Sequence, residues 1–228
     1  LTMIRRQRKA STRITGAEQL LFTDKGLEQS SSSLLASYHA SKLLNFKVTA
    51  DLTCGIGIDL IHQAEGKTRS YAADTDAESL AAARYNCRQH QLKQVVFLQQ
   101  PASDFSQPVE AIYLDPDRRP QGKRQISPEA GSPTLSEILQ LVRLTPNILI
   151  KLSPALDVRM LQLPSPFTLE FISEKGVLKE IRFFLGPLAA PGVSRKAVLL
   201  PSQQTITAKR KLVAEVSGFR KYLPTPVP

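Results

Sequence analysis

The stretch "VTADLTCGIGIDLIHQ", residues 48–63, decides the fold class. A short β-branched run ends at Asp51, two glycines follow at Gly55 and Gly57, and an apolar segment begins directly after them. This is the order of a strand, a tight turn and a helix, and glycine lets the backbone of such a turn come close to a ligand. The identity of that ligand is the question that the rest of the chain has to answer.

Two phosphate-binding motifs do not fit this turn. A dinucleotide fingerprint needs a third glycine three residues after Gly57, where the chain has Leu60, and a P-loop needs Gly-Lys-Ser/Thr, where it has Ile-Asp-Leu. A Gly-x-Gly pair alone is equally typical of a turn that binds no ligand. Because Asp51 and Asp59 flank the turn, we expect it to repel a pyrophosphate and to attract an ammonium group.

The remaining chain repeats the strand, turn and helix order. Strand-like segments are "SYAAD", "VVFLQ", "AIYLD" and "NILIKLS", separated by helical patterns or loops. Short apolar strands that alternate with helices predict an α/β fold with a doubly wound parallel sheet. "FTLEFISE" and "VLKEIRFFLG" are joined by so short a turn that they must form an antiparallel hairpin, which we place at one edge. A serine-rich helical segment precedes the sheet.

An acid at the end of the second strand narrows the choice of ligand. Asp74 lies there, at the sheet edge where such folds bind ligands, and its carboxylate could accept hydrogen bonds from both hydroxyls of a ribose. Together with the acids around the turn, it favours a ligand that combines a ribose with a cation and lacks phosphate. S-adenosylmethionine, with its sulfonium, its α-amino group and its adenosine, meets this description.

Two motifs also carry a resemblance to a known family. "DLTCGIGIDL" resembles the first motif of the class I, Rossmann-like S-adenosylmethionine-dependent methyltransferases, and "AADTDAESLAAARYN" is similar to their second, with Asp74 in the ribose-binding place. "FTDKGLEQSSSSLLASYHA", "DPDRRP", "IKLSPALD" and "FISEKGVLKEIRFFLGPLA" resemble a narrower bacterial group that carries a THUMP-like domain at its C-terminus. The resemblance covers roughly residues 21–201 and implies a seven-stranded methyltransferase sheet.

Three segments are therefore expected. Residues 1–45 form a basic arm and a helical segment, residues 46–187 form the methyltransferase domain, and residues 188–228 form a C-terminal extension or linker where a THUMP-like region would begin. The basic run near the N-terminus has two interpretations, a solvated and partly disordered arm or an arm that binds nucleic acid.

The cofactor-binding residues follow from the motifs and the resemblance. Many class I relatives place an acid after the third strand to bind the adenine amino group, whereas this chain has Pro101 there, so Ser103, Asp104 or a backbone amide would replace it. Gln29 and Ser30 would lie over the cofactor, although a simple helix cap explains them equally well. The predicted set is Gln29, Ser30, Asp51, Thr53, Gly55, Gly57, Asp59, Asp74, Thr75, Ser103 and Asp104.

The segment "AIYLDPDRRP" is the candidate for substrate chemistry. Asp115 ends the strand beside the first one and should face the transferred methyl group, with Pro116 stiffening the turn, so Asp115 would orient or deprotonate the acceptor. The alternative is that it only caps the turn. Arg118 and Arg119 would bind RNA phosphates or an acidic substrate group, or else form surface ion pairs.

The remaining polar and reactive side chains give weaker evidence for a functional role. Lys151, at the end of the fifth strand, could contact a phosphate, pair with Asp115 or lie along the strand end. A cysteine nucleophile, as in C5-pyrimidine methylation, is not expected, because Cys54 suits core packing and no cysteine follows Cys87. The three histidines are scattered along helical patterns and are predicted neither as ligands nor as bases.

Length, charge and cysteine content limit the possible binding partners and functions. The 228 residues suit one compact domain, and the formal net charge of +10 favours an anionic partner, with RNA first and a nitrogen acceptor slightly preferred over oxygen. Two cysteines without metal-ligand spacing and the lack of a long apolar run predict a cytoplasmic protein with no metal and no membrane span. The alternative function is a non-catalytic protein that binds RNA or another partner on the same fold. The sequence leaves the oligomeric state open.

Overall fold

The computed structural model of the chain describes residues 2–117, 129, 131–158, 161 and 166–209. The strands are β1 (Val48–Asp51), β2 (Arg69–Asp74), β3 (Val95–Gln99), β4 (Ala111–Leu114), β5 (Ile148–Leu152), β6 (Phe167–Glu174), β7 (Val177–Leu185), β8 (Val193–Leu200) and β9 (Gln204–Lys209). The α-helices are α1 (Thr2–Ala10), α2 (Asp24–Gln29), α3 (Ser33–Ser41), α4 (Ile58–Ala64), α5 (Ala77–Gln89) and α6 (Leu135–Gln140).

The helices begin where polar side chains can cap them. Thr23 and Ser32 accept hydrogen bonds from backbone amides in the first turns of α2 and α3, and Asp76 does the same for α5. Thr134 and Glu137 form a reciprocal capping box at the start of α6. The serine-rich segment therefore starts a helix, as its composition predicts.

The central sheet is mixed, with the expected parallel strands, and it is larger than expected. Within the described residues it has nine strands, in the order β3-β2-β1-β4-β5-β7-β6-β8-β9. Strands β1 to β5 pair in parallel, and β7 pairs antiparallel with both β5 and β6. The predicted α/β class and the antiparallel hairpin are confirmed.

The predicted seven strands and the edge position of the hairpin are wrong. Strand β8 adds in parallel to β6, and β9 adds antiparallel to β8, so the hairpin lies inside the sheet. An unpaired β6 would leave a row of backbone donors and acceptors open, and residues 193–209 supply the partners. These strands belong to the stretch predicted as an extension; the three-segment division stays a prediction.

The basic N-terminal run forms helix α1 and not a disordered arm. Arg6 binds both carboxylate oxygens of Asp24 and the carbonyl of Phe22, and Ala10 is fully buried. The Arg13 guanidinium donates to the carbonyls of Leu27 and Ser30, in and after α2. Arg6 therefore holds α1 to α2, and Arg13, in the turn after α1, holds that turn to the end of α2. These arginines are paired within the fold and do not belong to a solvated tail.

Both faces of the sheet are covered by apolar packing. On one face Leu52, Ile112 and Ile150 pack with Leu135 and Ile138 of α6. On the other face the residues of α1, α4 and α5 form a second cluster, which includes Ile61, Leu80 and Ala83. The layers leave the carboxyl ends of the parallel strands accessible for a ligand.

Candidate functional site

A cavity of about 600 Å³ opens at the carboxyl ends of β1, β2 and β4. Its size is in the range that holds a small-molecule ligand. Asp51, Asp74 and Asp115 reach it from the strand ends, and Gly26 reaches it from α2. The cavity therefore lies where the sequence predicts the cofactor crevice.

Most of the predicted site residues line this cavity. The lining includes Gln29, Ser30, Asp51, Thr53, Gly55, Gly57, Asp59, Asp74, Thr75, Ser103, Asp115 and Pro116. Asp104 does not line it and accepts a hydrogen bond from the Ser103 hydroxyl at 3.1 Å. Lys151 lies behind the lining, and Arg118 and Arg119 lie outside the described residues. The functional roles of these residues stay predictions.

The two glycines of the turn have different structural roles. Both have positive φ angles, +52° at Gly55 and +84° at Gly57. A Cβ on Gly57 would lie 3.1 Å from the Cβ of Ala83, so this glycine permits close packing against α5. A Cβ on Gly55, which lines the cavity, would meet nothing within 4 Å. The backbone at Gly55 therefore has open space beside it.

Asp74 is held in place by the backbone. Its Oδ2 accepts the Gly55 amide at 2.8 Å, and its Oδ1 accepts the Asp76 amide at 3.0 Å. A carboxylate oxygen can accept more than one hydrogen bond, so both oxygens keep capacity for further donors. The hydrogen bond from the Gly55 amide fixes Asp74 to the glycine turn, and the free capacity of its oxygens is compatible with a pair of ribose hydroxyls.

The two acids beside the turn differ in their partners. Asp51 is 2% exposed and accepts the Thr53 amide, and burial, reinforced by the charge of Asp59, raises its pKa well above the usual value. Asp59 is held by the His39 ring and the Ser31 hydroxyl; burial opposes its ionisation, but His39 outweighs burial and lowers its pKa. Because Asp51 has no basic partner within the described residues, it is the acid that a bound ammonium group would stabilise.

Asp115 forms a close ion pair with Lys151. The Lys151 Nζ lies 2.5 Å from Asp115 Oδ2, and the Asp115 amide donates to the Thr53 hydroxyl at 2.6 Å. Burial disfavours the charged lysine, but Asp115, Glu180 and Asp59 outweigh it and raise the pKa of Lys151. Among the alternatives left open for Lys151, the structure therefore shows the pairing with Asp115. Within the described residues Asp115 Oδ1 has no partner and is left for a ligand in the cavity.

Several residues at the site were missed by the sequence analysis. Tyr113 lines the cavity from the same face of β4 as Asp115, and Lys25 and Lys179 also line it. Behind the cavity, Glu180 and Arg182 are almost fully buried in β7. Glu180 and Arg182 are two residues apart and therefore lie on the same face of β7, which was the sequence signal for a charged pair on this strand.

Thiol groups and potential metal ligands can be located in the part of the chain that the structure describes. Cys54 lines the cavity, but burial raises the pKa of its thiol well above the usual value, which disfavours a thiolate. Groups of three or more potential metal ligands do not occur among the described residues. None of the described helices is both long and apolar enough to cross a bilayer.

Comparisons with known proteins identify the fold. No family model matches the chain. An uncharacterised S-adenosylmethionine-dependent methyltransferase of Mycobacterium tuberculosis, in strains CDC 1551 and H37Rv, is 29% identical over 195 residues, which are 84% of this chain and 53% of the relative. The crystal structure of a candidate methyltransferase from Porphyromonas gingivalis W83 superposes with a TM-score of 0.72 at 23% identity, over 91% of this chain and 55% of that one.

The chain has a class I methyltransferase fold. This methyltransferase fold explains why the ligand cavity lies at the ends of β1, β2 and β4. The chain spans about half the length of the curated relatives that it matches. The THUMP-like domain that the resemblance implies stays a prediction.

Proposed function

We propose that this chain transfers a methyl group from S-adenosylmethionine to an acceptor held at Asp115. The observation that carries the proposal is that one cavity brings together the glycine turn, the ribose-compatible Asp74 and the ion-paired Asp115. The names of the Mycobacterium relatives support the cofactor class.

The residues present fit the cofactor. Gly55 leaves open volume over the turn, Asp74 offers two fixed carboxylate oxygens to a ribose, and Asp51 lacks a cationic partner among the described residues. Pro101 and Ser103 line the side of the cavity where an adenine ring would rest. When bound, the cofactor supplies a methyl carbon activated by its sulfonium.

Asp115 would orient the acceptor. Its Oδ2 is occupied by Lys151, so Oδ1 is the atom that can accept a hydrogen bond from an N–H or O–H group of the substrate. The raised pKa keeps Lys151 protonated, which means that the lysine stabilises the carboxylate and does not act as a base. Most of the acceleration would come from holding the acceptor in line with the methyl group.

RNA is the substrate that we favour, with a nitrogen acceptor preferred. The net charge is +10, and Arg5, Arg8 and Lys9 of α1 are exposed, whereas Arg6 and Arg13 fasten the helix to α2. Helix α2 in turn lines the cavity, so the exposed basic face of α1 could hold a phosphate backbone near the site. In this proposal Arg118 and Arg119 would also contact phosphates.

The second candidate is a non-catalytic RNA-binding or partner-binding protein. The specific observation in its favour is Pro101, which lines the cavity where many class I relatives carry an acid that binds adenine. The segment after β4 also lacks the aromatic residue that stacks on bases in amino-group methyltransferases. The fixed Asp74 and the open volume over Gly55 favour the enzyme.

Calorimetric titration of the purified chain tests the cofactor class. We expect S-adenosylmethionine to bind with a Kd of about 1 to 100 μM, which corresponds to roughly 5 to 8 kcal/mol, and NAD to give no heat of binding. The acids beside the turn give the physical reason, because they repel the NAD pyrophosphate. Binding of NAD alone, or of neither ligand, would contradict the proposal.

A further inference from the structure

A buried histidine lies between two carboxylates behind the cavity. The side chain of His39, in α3, is 0% exposed; its Nδ1 is 2.5 Å from Asp59 Oδ1 and its Nε2 is 2.6 Å from Glu180 Oε1. Because an ionised carboxylate only accepts hydrogen bonds, Nδ1 donates to Asp59, while Nε2 faces both Glu180 Oε1 and the Arg182 guanidinium. The His39 side chain therefore connects α3 to α4, through Asp59, and to β7, through Glu180.

Arg182 also balances the negative charge of Glu180. Arg182 Nε donates to Glu180 Oε1 at 2.6 Å, and the guanidinium also lies against His39 and over the ring of Tyr113. Burial opposes the ionisation of Glu180, but Arg182 and His39 outweigh it and hold its pKa well below the usual range. The acid thus stays charged and fixed.

This cluster is connected to the cavity through one small side chain. The Ser31 hydroxyl donates to Asp59 Oδ2 at 2.7 Å and accepts from Lys151 Nζ at 3.2 Å. Lys151 in turn pairs with Asp115. A continuous series of hydrogen bonds therefore runs from His39 to the carboxylate that faces the substrate.

The sheet register reinforces the same connection. Lys151 and Arg182 are Cα partners on the neighbouring strands β5 and β7. Their like charges would repel each other if the carboxylates of Asp59 and Glu180 did not lie nearby. Since buried ions without partners are strongly destabilising, loss of one member should displace Lys151 first and Asp115 with it.

We propose that His39 is a positioning residue for methyl transfer. It fixes Asp59, through which Ser31 and Lys151 hold the Asp115 carboxylate in the orientation that the acceptor needs. The inference rests on the proposed function, but the geometry of Lys151 can be tested without a substrate.

The test compares His39→Gln with the wild-type chain. Glutamine carries both of its N–H donors on one nitrogen and does not bridge Asp59 and Glu180 as the two ring nitrogens do. We therefore expect kcat for methyl transfer to an RNA pool to fall by about 10- to 100-fold, the range known for outer partners of metal ligands. The Kd of S-adenosylmethionine and the KM of the RNA should change by less than about threefold, because His39 is fully buried and does not line the cavity. Faster proton exchange at the Lys151 ammonium, followed by NMR and assigned with Lys151→Met, should accompany the loss.

Two further variants separate positioning from folding. Tyr38→Phe is the matched control, because Tyr38, the neighbouring residue of α3, also donates a buried hydrogen bond, at 2.6 Å to Glu170. Within the described residues no hydrogen bond joins Tyr38 or Glu170 to Lys151. Ser31→Ala removes the connecting hydroxyl without a large change of volume and should reproduce the effects of His39→Gln on kcat and on Lys151. It keeps the test decisive if His39→Gln does not fold.

Each outcome decides the inference. Unchanged kcat and unchanged Lys151 exchange in His39→Gln or Ser31→Ala would overturn it, as would an equal loss of kcat in Tyr38→Phe. If the wild-type chain binds S-adenosylmethionine but methylates nothing in total cellular RNA or protein extract, the catalytic part of the proposed function fails. Lys151 exchange then decides alone whether His39 positions the ion pair.

Discussion

The two sides of the cavity are held in different ways. On the β1–β2 side, Asp74 is fixed by the backbone amides of Gly55 and Asp76, which are local or one strand away. On the β5–β7 side, charged side chains hold one another, as in the pair of Glu180 with His39. The β1–β2 side, which we propose binds the cofactor and call the cofactor side, depends on chain conformation. The β5–β7 side, which we propose faces the acceptor and call the substrate side, depends on buried charges that compensate one another.

The largest expected effect is on the substrate side. Asp115→Ala should reduce methyl transfer to an RNA pool by about 10² to 10⁴, the usual contribution of a positioned acid-base group, with nearly unchanged affinity for S-adenosylmethionine. Incorporation of labelled methyl groups and calorimetry measure the two quantities. If the affinity for S-adenosylmethionine fell as strongly as turnover, Asp115 would belong to the cofactor side, and the division of the cavity into two sides would be wrong.

The next effect is on folding. Glu180→Ala leaves the buried Arg182 and His39 without their shared carboxylate, and removal of one partner of a buried ion pair typically costs about 3 to 5 kcal/mol. Urea denaturation should show this loss in the free energy of unfolding. The control Glu65→Ala removes an exposed carboxylate and should change the same quantity by less than about 0.5 kcal/mol. Equal stability of the two variants would mean that the buried charges do not hold the β5–β7 side.

The smallest effect is expected on the cofactor side. Asp74→Ala should weaken S-adenosylmethionine binding by about 1.5 to 3 kcal/mol, the cost of losing hydrogen bonds to a charged acceptor, without unfolding the chain. Calorimetry gives the affinity, and a thermal melt serves as the control for folding. Wild-type affinity in this variant would place the ribose elsewhere.

The cofactor side could be predicted from the sequence because its information is local. A strand, two glycines and an acid at the end of the next strand occur within residues 48–74, and the strand order of class I sheets then brings Asp74 to Gly55. The end of β4 was predictable for the same reason, since Asp115 follows directly on an apolar strand.

The substrate side could not be derived in the same way. His39, Asp59 and Glu180 are far apart in the chain, and nothing in the helical pattern around His39 shows which strand α3 covers. From the sequence, Lys151 could contact a phosphate, pair with Asp115 or lie along the strand end; the register of β4, β5 and β7 places it beside Asp115 and Arg182. The extra strands β8 and β9 escaped prediction because their pairing also depends on contacts distant in sequence.

The contact between Gly57 and Ala83 has a consequence for the design of variants. A Cβ at Gly57 would lie only 3.1 Å from the methyl group of Ala83, so the turn and α5 are in close contact with no space between them. Ala83 is fully buried and does not line the cavity, yet a larger residue there would have to push the turn toward the ligand. A substitution at Ala83 could thus change the width of the cavity at Gly57, although Ala83 itself does not line the cavity.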